Sequence, residues 1–306
     1  MKIGLIDVDG HNFPNLALMK ISAFHKEKGD SVEWVNHWER YDKVYKSKVF
    51  TFTPDNTIAV QSDEIIKGGT GYKIYRDLFC DDSEPDYTLY PQYSHAYGFL
   101  TRGCIRRCKW CIVPKKEGYI RAYRDIETVL QGRKTVILMD NNILACDYGI
   151  SQLEKIATIG CRIDLNQGLD ARIILNNAVI PKLLSRIKWL CPVRLACDDI
   201  SMMKTIEEAA KLLRASGLKP KRLFAYVLLT DIQSSYERIN FLKNLNIMPF
   251  AQPYRDFTPK QIIPQWQKDM ARWCNDKALL QSHDFKNYMP RKGFRCSQYF
   301  DNPILN

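Results

Sequence analysis

Three cysteines are the residues best placed to do chemistry. They lie in Gly98-Phe-Leu-Thr-Arg-Gly-Cys104-Ile-Arg-Arg-Cys108-Lys-Trp-Cys111-Ile-Val-Pro114, with the spacing C-x3-C-x2-C. On a compact loop these thiols can converge on one metal centre. Three thiolates leave one iron of a 4Fe-4S cluster without a protein ligand, an open position of the kind catalysis needs. A structural zinc site wants four closed ligands. Cys146, 35 residues beyond Cys111, is too far along the chain to be an adjacent fourth. A structural metal site and inert thiols remain the alternatives. The N-terminus turns acidic too early for a secretory signal, and no apolar run approaches the ~18 residues of a membrane span. The chain is therefore expected in the cytoplasm, where disulfides are disfavoured. The other seven cysteines, Cys80, Cys146, Cys161, Cys191, Cys197, Cys274 and Cys296, read as small buried hydrophobes.

The elements that position this loop follow from periodicity. Residues 2–8 read as a first strand. Residues 15–28 read as a helix with Leu16, Met19, Ala23 and Phe24 on one face and Gly29 at its end. Val32–Val35, Lys48–Phe52 and Ile58–Val60 are further strand candidates, giving a small α/β unit. From residue 95 strands alternate with helices. The strands are expected at Ala96–Leu100, Thr135–Met139, Cys161–Leu165, Val193–Ala196, Arg222–Leu229 and Ile247–Phe250. The helices are expected at 124–131, 150–158, 170–188, 202–215 and 232–244. Such alternation implies a parallel sheet closing into a curved or partial barrel, with ligands at the strand carboxyl ends. Residues 260–280 read as a helix carrying Trp266, Met270, Trp273 and Cys274, and a basic, aromatic tail follows. The expected fold is α/β: a small Rossmann-like domain (residues 1–90), a partial (β/α)6 TIM-like barrel (91–257) and a helical, partly irregular C-terminal extension (258–306).

The cysteine segment, with Trp110 before the third cysteine and its place after the first barrel strand, resembles the cluster motif of the radical S-adenosylmethionine (SAM) superfamily. The resemblance covers residues 95–256. It implies that Cys104, Cys108 and Cys111 hold a 4Fe-4S cluster whose open iron is chelated by SAM. One electron from an external donor such as a flavodoxin or ferredoxin then cleaves SAM to methionine and a 5′-deoxyadenosyl radical. Family members carry a Gly-Gly-Glu-like stretch after the second strand, for the methionyl amino group. Here Asp140-Asn141-Asn142 stands there, and its carboxylate and amides can accept from an ammonium. Asn166-Gln-Gly-Leu-Asp170-Ala-Arg172 resembles the polar stretch near the SAM ribose and carboxylate, although Asp170 also suits a helix N-cap. Asp198 and Asp199 end the fourth strand, where one also suits a cap. Gln252, Tyr254, Arg255 and Asp256 follow the sixth strand and read as pocket-lining or surface loop.

The N-terminal unit carries a fainter resemblance, to cobalamin-binding domains. Asp9-Gly-His11 follows the first strand as in their D-x-H-x-x-G motif, whose His can ligate cobalt, but Pro14 stands where the final Gly belongs. Ser47-Lys-Val49 and Gly68-Gly69 loosely match two further elements. Cobalamin is an open cofactor, with a degenerate domain of the same ancestry as the alternative.

The formal net charge is +11. Residues 1–90 hold 11 basic and 15 acidic side chains, a net of −4, whereas residues 91–306 carry a net of +15. Residues 102–124 alone carry +7: Arg102, Arg106, Arg107, Lys109, Lys115, Lys116, Arg121 and Arg124 against Glu117. The tail adds Lys286, Arg291, Lys292 and Arg295 among Phe285, Tyr288, Phe294, Tyr299 and Phe300. Cations among stacking rings suggest a nucleic-acid partner, with a solvated basic surface as the plain alternative. A peptide substrate is a further option. So is a non-enzymatic basic nucleic-acid-binding protein with a structural metal site. The methylthiotransferase subclass, which holds an extra cluster on three N-terminal cysteines, is disfavoured because only Cys80 precedes Cys104. A second cluster on Cys191, Cys197, Cys274 and Cys296 stays open.

Overall fold

The computed structural model describes residues 1–55, 59–219, 223–256 and 261–302 and is mixed α/β with parallel sheets. It divides into two compact units. One is built on Met1–Tyr97. The other is built on Gly98–Pro114, Gly118–Asp256 and the chain from Ile262 onward.

In the first unit β1 (Lys2–Asp7), β2 (Ser31–Trp34), β3 (Arg40–Ser47) and β4 (Gln61–Gly68) form a parallel sheet in the order β2-β1-β3-β4. The helix Leu16–Glu27 joins β1 to β2. Asn15 caps its start by accepting from the Leu18 N–H, and Gly29 at φ +79° follows its end. Central strand β1 is apolar on both faces, as a covered parallel strand must be. Ile3 and Leu5 pack with Leu18, Ile21, Tyr45 and Cys80, while Ile6 packs with Tyr41 and Val44. The third strand lies earlier than the Lys48–Phe52 expected from its apolar run. Arg40–Ser47 pairs β1 on one side and β4 on the other, and tertiary pairing overrides the local pattern. The strand expected at Ile58–Val60 begins at Gln61 instead, and Ile58 lies outside the described residues.

The strand β5 (Ala96–Gly98), whose last residue begins the second unit, leads into a short antiparallel pair, β6 (Thr101–Arg102) with β7 (Arg121–Ala122). Next come β8 (Thr135–Leu138), β9 (Arg162–Leu165) and β10 (Lys188–Trp189), in a sheet of order β10-β9-β8-β5. A second sheet, β11 (Val193–Ala196), β12 (Leu223–Leu229) and β13 (Met248–Pro253), is parallel throughout. An isolated parallel bridge, Leu169 to Leu195, runs from the chain after β9 to β11. The helices Met202–Ala215 and Ile232–Asn244 fall where their 3.6-residue periodicity puts them. The helix expected over 170–188 is two, Ala171–Asn176 and Val179–Arg186. Asn177 interrupts it, its side chain accepting from the Val179 N–H, and β10 follows unexpectedly. The 260–280 helix is likewise two, Gln265–Asn275 and Lys277–Ser282, separated by Asp276, which caps the second.

Much of the basic, aromatic tail packs into the core, while Phe294 and Phe300 are half-buried and Arg291, Lys292 and Arg295 are exposed. Phe285, Tyr288, Cys296 and Tyr299 are buried. Arg291 pairs with Asp269 at 2.7 Å, and the Tyr299 hydroxyl donates to the same carboxylate.

Candidate active site

The cysteine loop is tied at its root. Strands β6 and β7 close its two ends, and the Cys104 N–H donates to the Gly118 carbonyl. Gly103 sits at φ +84°, where a Cβ would lie 2.2 Å from the Tyr119 carbonyl oxygen, so only glycine fits. Asp140, just beyond β8, fastens the other side. Its Oδ1 accepts from the Leu100 N–H (3.0 Å), the Thr101 N–H (2.5 Å) and the Thr101 hydroxyl (2.7 Å). The carboxylate is 4% exposed. Burial pushes it up to about 6, against the hydrogen bonds from Thr101 and Leu100. The sequence puts Asp140 against an ammonium of the cofactor; in the structure it faces the chain's own backbone and acts as a strut for the loop.

Two residues further on, Asn142 faces Cys104. Asn142 Nδ2 lies 3.5 Å from both Cys104 Sγ and Asp170 Oδ2. Among the described residues its Oδ1 is buried with no hydrogen-bond partner. Asp170 caps the helix Ala171–Asn176, as one of its two readings expects. Its carboxylate also accepts from Arg172 Nε (2.7 Å) and Nη2 (3.1 Å) and from Arg106 Nε (2.7 Å), reaching into the cysteine loop. Burial acts to raise the Asp170 carboxyl, but Arg172 and Arg106 together hold it below its ordinary value. The Arg106 N–H donates to Cys104 Sγ at 3.3 Å. Cys104 is half-buried, whereas Cys108 and Cys111 are exposed. Cys108 is close enough to Arg172, Cys104, Asp198 and Asp170 to feel their charges.

The remaining expected residues lie on the cysteine loop or at strand ends. Trp110 is half-buried under the Lys109 ammonium, 5.2 Å from its ring. Asn141 is half-buried. Asn166 directs its side-chain oxygen to Gln167 and its carbonyl to the Tyr226 hydroxyl. Asp198 accepts from the Leu228 N–H, while Asp199 accepts from the Ser201 N–H at the start of the next helix. Gln252 is exposed on β13, and Tyr254, Arg255 and Asp256 follow it. Among the described residues no three His, Cys, Asp or Glu side chains are gathered tightly enough to hold a single metal ion, so the three thiols are not drawn onto one centre. The donor set nevertheless suits an iron–sulfur cluster. It offers sulfur ligands, N–H groups directed at Cys104, and guanidinium charge beside it.

Sequence reasoning missed two arginines, the half-buried Arg194 and the buried Arg238. Arg194 of β11 pairs with Asp164 of β9. Arg238 has no exposed surface and donates to the carbonyls of Cys197 (2.7 Å) and Leu228 (3.0 Å) at the ends of β11 and β12. The available signal was a charge inside an apolar strand, Asp164 in Cys-Arg-Ile-Asp-Leu and Arg194 in Val-Arg-Leu-Ala.

In the first unit the His11 ring packs 4.2 Å from the Trp34 ring and 5.9 Å from that of Tyr90. Gly69, at φ +102°, lies so close to Lys48 that a Cβ would meet its carbonyl at 2.3 Å. Gly69 and the His11 ring thus both have packing contacts within the chain itself.

No protein-family model matches the chain. The chain is similar to ribosomal protein uS12 methylthiotransferase RimO from two strains of Thermus thermophilus, at 36% identity over 83 residues in each. That stretch is 24% of this chain and 18% of the relative, so the chain spans less than a fifth of the curated relatives it matches.

Proposed function

We propose that this chain is a radical SAM enzyme, with a 4Fe-4S cluster on Cys104, Cys108 and Cys111. The observation that carries the reading is the network of Asn142, Asp170, Arg172 and Arg106 beside Cys104, at the carboxyl ends of β8 and β9. The partial similarity to a methylthiotransferase supports an enzyme of this superfamily. When bound, the reduced cluster supplies the electron that cleaves SAM to methionine and a 5′-deoxyadenosyl radical. The chain's own residues bind and orient. Asn142 Oδ1, buried and with no partner among the described residues, is placed to accept from an ammonium. Arg172, aligned by Asp170, offers its remaining N–H groups to a carboxylate. Asp140 and Gly103 fix the loop that carries the sulfurs. Trp110, Asn141, Asn166 and Gln252 are proposed to line the same site. The sheets β10-β9-β8-β5 and β11-β12-β13 are proposed to form a partial (β/α)6 barrel through the Leu169–Leu195 bridge.

Anaerobic reconstitution tests this. About four irons per chain are expected, together with release of 5′-deoxyadenosine from SAM under reduction. Cys108→Ala should lose both, and Cys146→Ala should lose neither. A chain that takes up no iron, or full iron in Cys108→Ala, would overturn the assignment. The similarity to RimO favours methylthio transfer as a second reading. Within this sequence Cys80 is the sole cysteine before Cys104, and it is buried, which counts against the extra cluster of that subclass.

A further inference from the structure

An open parallel sheet binds ligands at the carboxyl ends of its strands, where the strand order reverses. In the order β2-β1-β3-β4 that point lies between β1 and β3. Here the chain closes it with its own side chains. Tyr90, fully buried, donates to Asp7 at 2.7 Å, and Asn15 Nδ2 donates to Ser47 Oγ at 2.9 Å.

The next pair of strand ends, β3 and β4, is built differently. Lys46 lies opposite Lys67 and Ser47 opposite Gly68. Residues 43–52 and 65–76 carry six cations, of which Lys43 pairs with Glu64 and Lys46 with Asp55, while Lys67, Lys73 and Arg76 are exposed. Past β3 the rings of Phe50 and Phe52 stack on each other, centroids 5.1 Å apart and 23° from parallel. Each is about half exposed, at 50% and 49%. Asp9 holds this loop in place through the Val49 N–H and the Thr53 hydroxyl, both at 2.5 Å. The turn after β4 lies against it, since a Cβ on Gly71 would meet Lys48 Cγ at 2.4 Å and the Phe50 carbonyl at 2.8 Å. Lys67 Nζ sits 5.4 Å from the Tyr72 ring in that turn.

We propose that the carboxyl edge of β3 and β4 binds a single-stranded polynucleotide. Bases stack on Phe50 and Phe52, and phosphates lie against Lys67, Lys73 and Arg76. An apolar protein partner would use the rings and leave the cations without a role. A duplex would satisfy the cations, but its bases are already stacked and leave the rings unused. The proposal does not rest on the reaction proposed above.

The test is fluorescence anisotropy of a labelled 12-mer of oligouridine with the full chain. Three phosphate contacts predict a slope of about −2 in log affinity against log salt, or about 20-fold weaker binding at 200 mM than at 50 mM. The double variant Phe50→Ala, Phe52→Ala should bind about 10- to 100-fold more weakly. The double Leu variant keeps the apolar surface but removes the stack, and should lose a similar factor even where the Ala pair folds poorly. Lys67→Ala with Lys73→Ala should flatten the salt slope by about 1–2. Cys108→Ala should bind the 12-mer as the wild type does, which separates this surface from the cysteine loop. The proposal is overturned by absent binding, by unchanged affinity in the folded Phe variants, by loss of binding in Cys108→Ala, or by a 12-base-pair duplex that binds as tightly.

Discussion

Replacing Asp140 by alanine distinguishes a strut from a ligand. Its carboxylate is the acceptor for two backbone N–H groups and one hydroxyl, all on Leu100 and Thr101, which are themselves fully buried. Each donor left without a partner costs about 2 kcal/mol, so three cost about 6 kcal/mol. The variant also removes a buried charge. The carboxyl is pushed up to about 6 from an ordinary value of 3.8, so its ionised form is disfavoured by about 3 kcal/mol at neutral pH. The net loss at pH 7 is then about 3 kcal/mol, a fall in Tm on the order of 6–12 °C for a unit of this size.

The sign of the pH dependence follows. A carboxyl whose folded pKa is raised stabilises the protein most at low pH and loses that contribution as pH climbs from about 4 to about 7. The variant lacks this term, so the gap between wild type and Asp140→Ala should widen toward about 6 kcal/mol near pH 4. Thermal melts across this range, followed by iron analysis after reconstitution at pH 7, are the assay. The loop should lose its register, and iron and SAM binding should fall together. A melting temperature within ~2 °C of wild type, with full iron and weakened SAM affinity, would refute the strut and return Asp140 to the cofactor.

Asn142→Leu removes a buried oxygen with no partner among the described residues, so stability should hold or rise by about 1 kcal/mol while SAM affinity, read by equilibrium binding, falls. Gly103→Ala should abolish iron uptake, because a Cβ there strikes the Tyr119 carbonyl; normal iron content would show that the loop root can shift. In the first unit Asp86 is pulled down to about 2 by Lys26, Ser22 and Thr88 against its burial. Asp86→Asn should therefore cost about 2 kcal/mol at pH 7, a difference that fades as pH falls from about 4 to about 2 in acid melts.

What could be read from the sequence was what is encoded locally. The cysteine spacing is contiguous and the helices Met202–Ala215 and Ile232–Asn244 carry their own periodicity, so neither needs tertiary information. β3 carries no comparable signal. Its pattern Arg-Tyr-Asp-Lys-Val-Tyr-Lys-Ser looks solvent-facing, and Lys46 is buried there because Asp55 pairs with it. The tail failed in the opposite sense. Phe285 and Tyr299 stand among cations in sequence, but Asp269, sixteen residues before Phe285, receives both Arg291 and the Tyr299 hydroxyl and draws the segment into the core. Asp140 is the instructive case for the site. A carboxylate at a strand end suits a ligand and a backbone anchor equally, and only the positions of the Leu100 and Thr101 N–H groups decide between them.

The electrostatics around Cys104 give Asp170 a similar double character. Arg106 belongs to the cysteine loop and Arg172 to the helix after β9, and two guanidiniums this close would repel if left alone. Asp170 lies between them, accepts from both and is itself anchored by capping that helix. The set keeps a charge of +1 beside sulfur ligands that carry negative charge when they bind metal. Neutralising Asp170 would not merely delete an ion pair. It would free the loop arginine from the strand end and leave two unbalanced cations, so the geometry of Cys104 and the orientation of Arg172 should fail together. On the proposed function, Asp170 would couple cofactor binding to metal binding, and a variant at Asp170 that lost one of them alone would contradict that coupling.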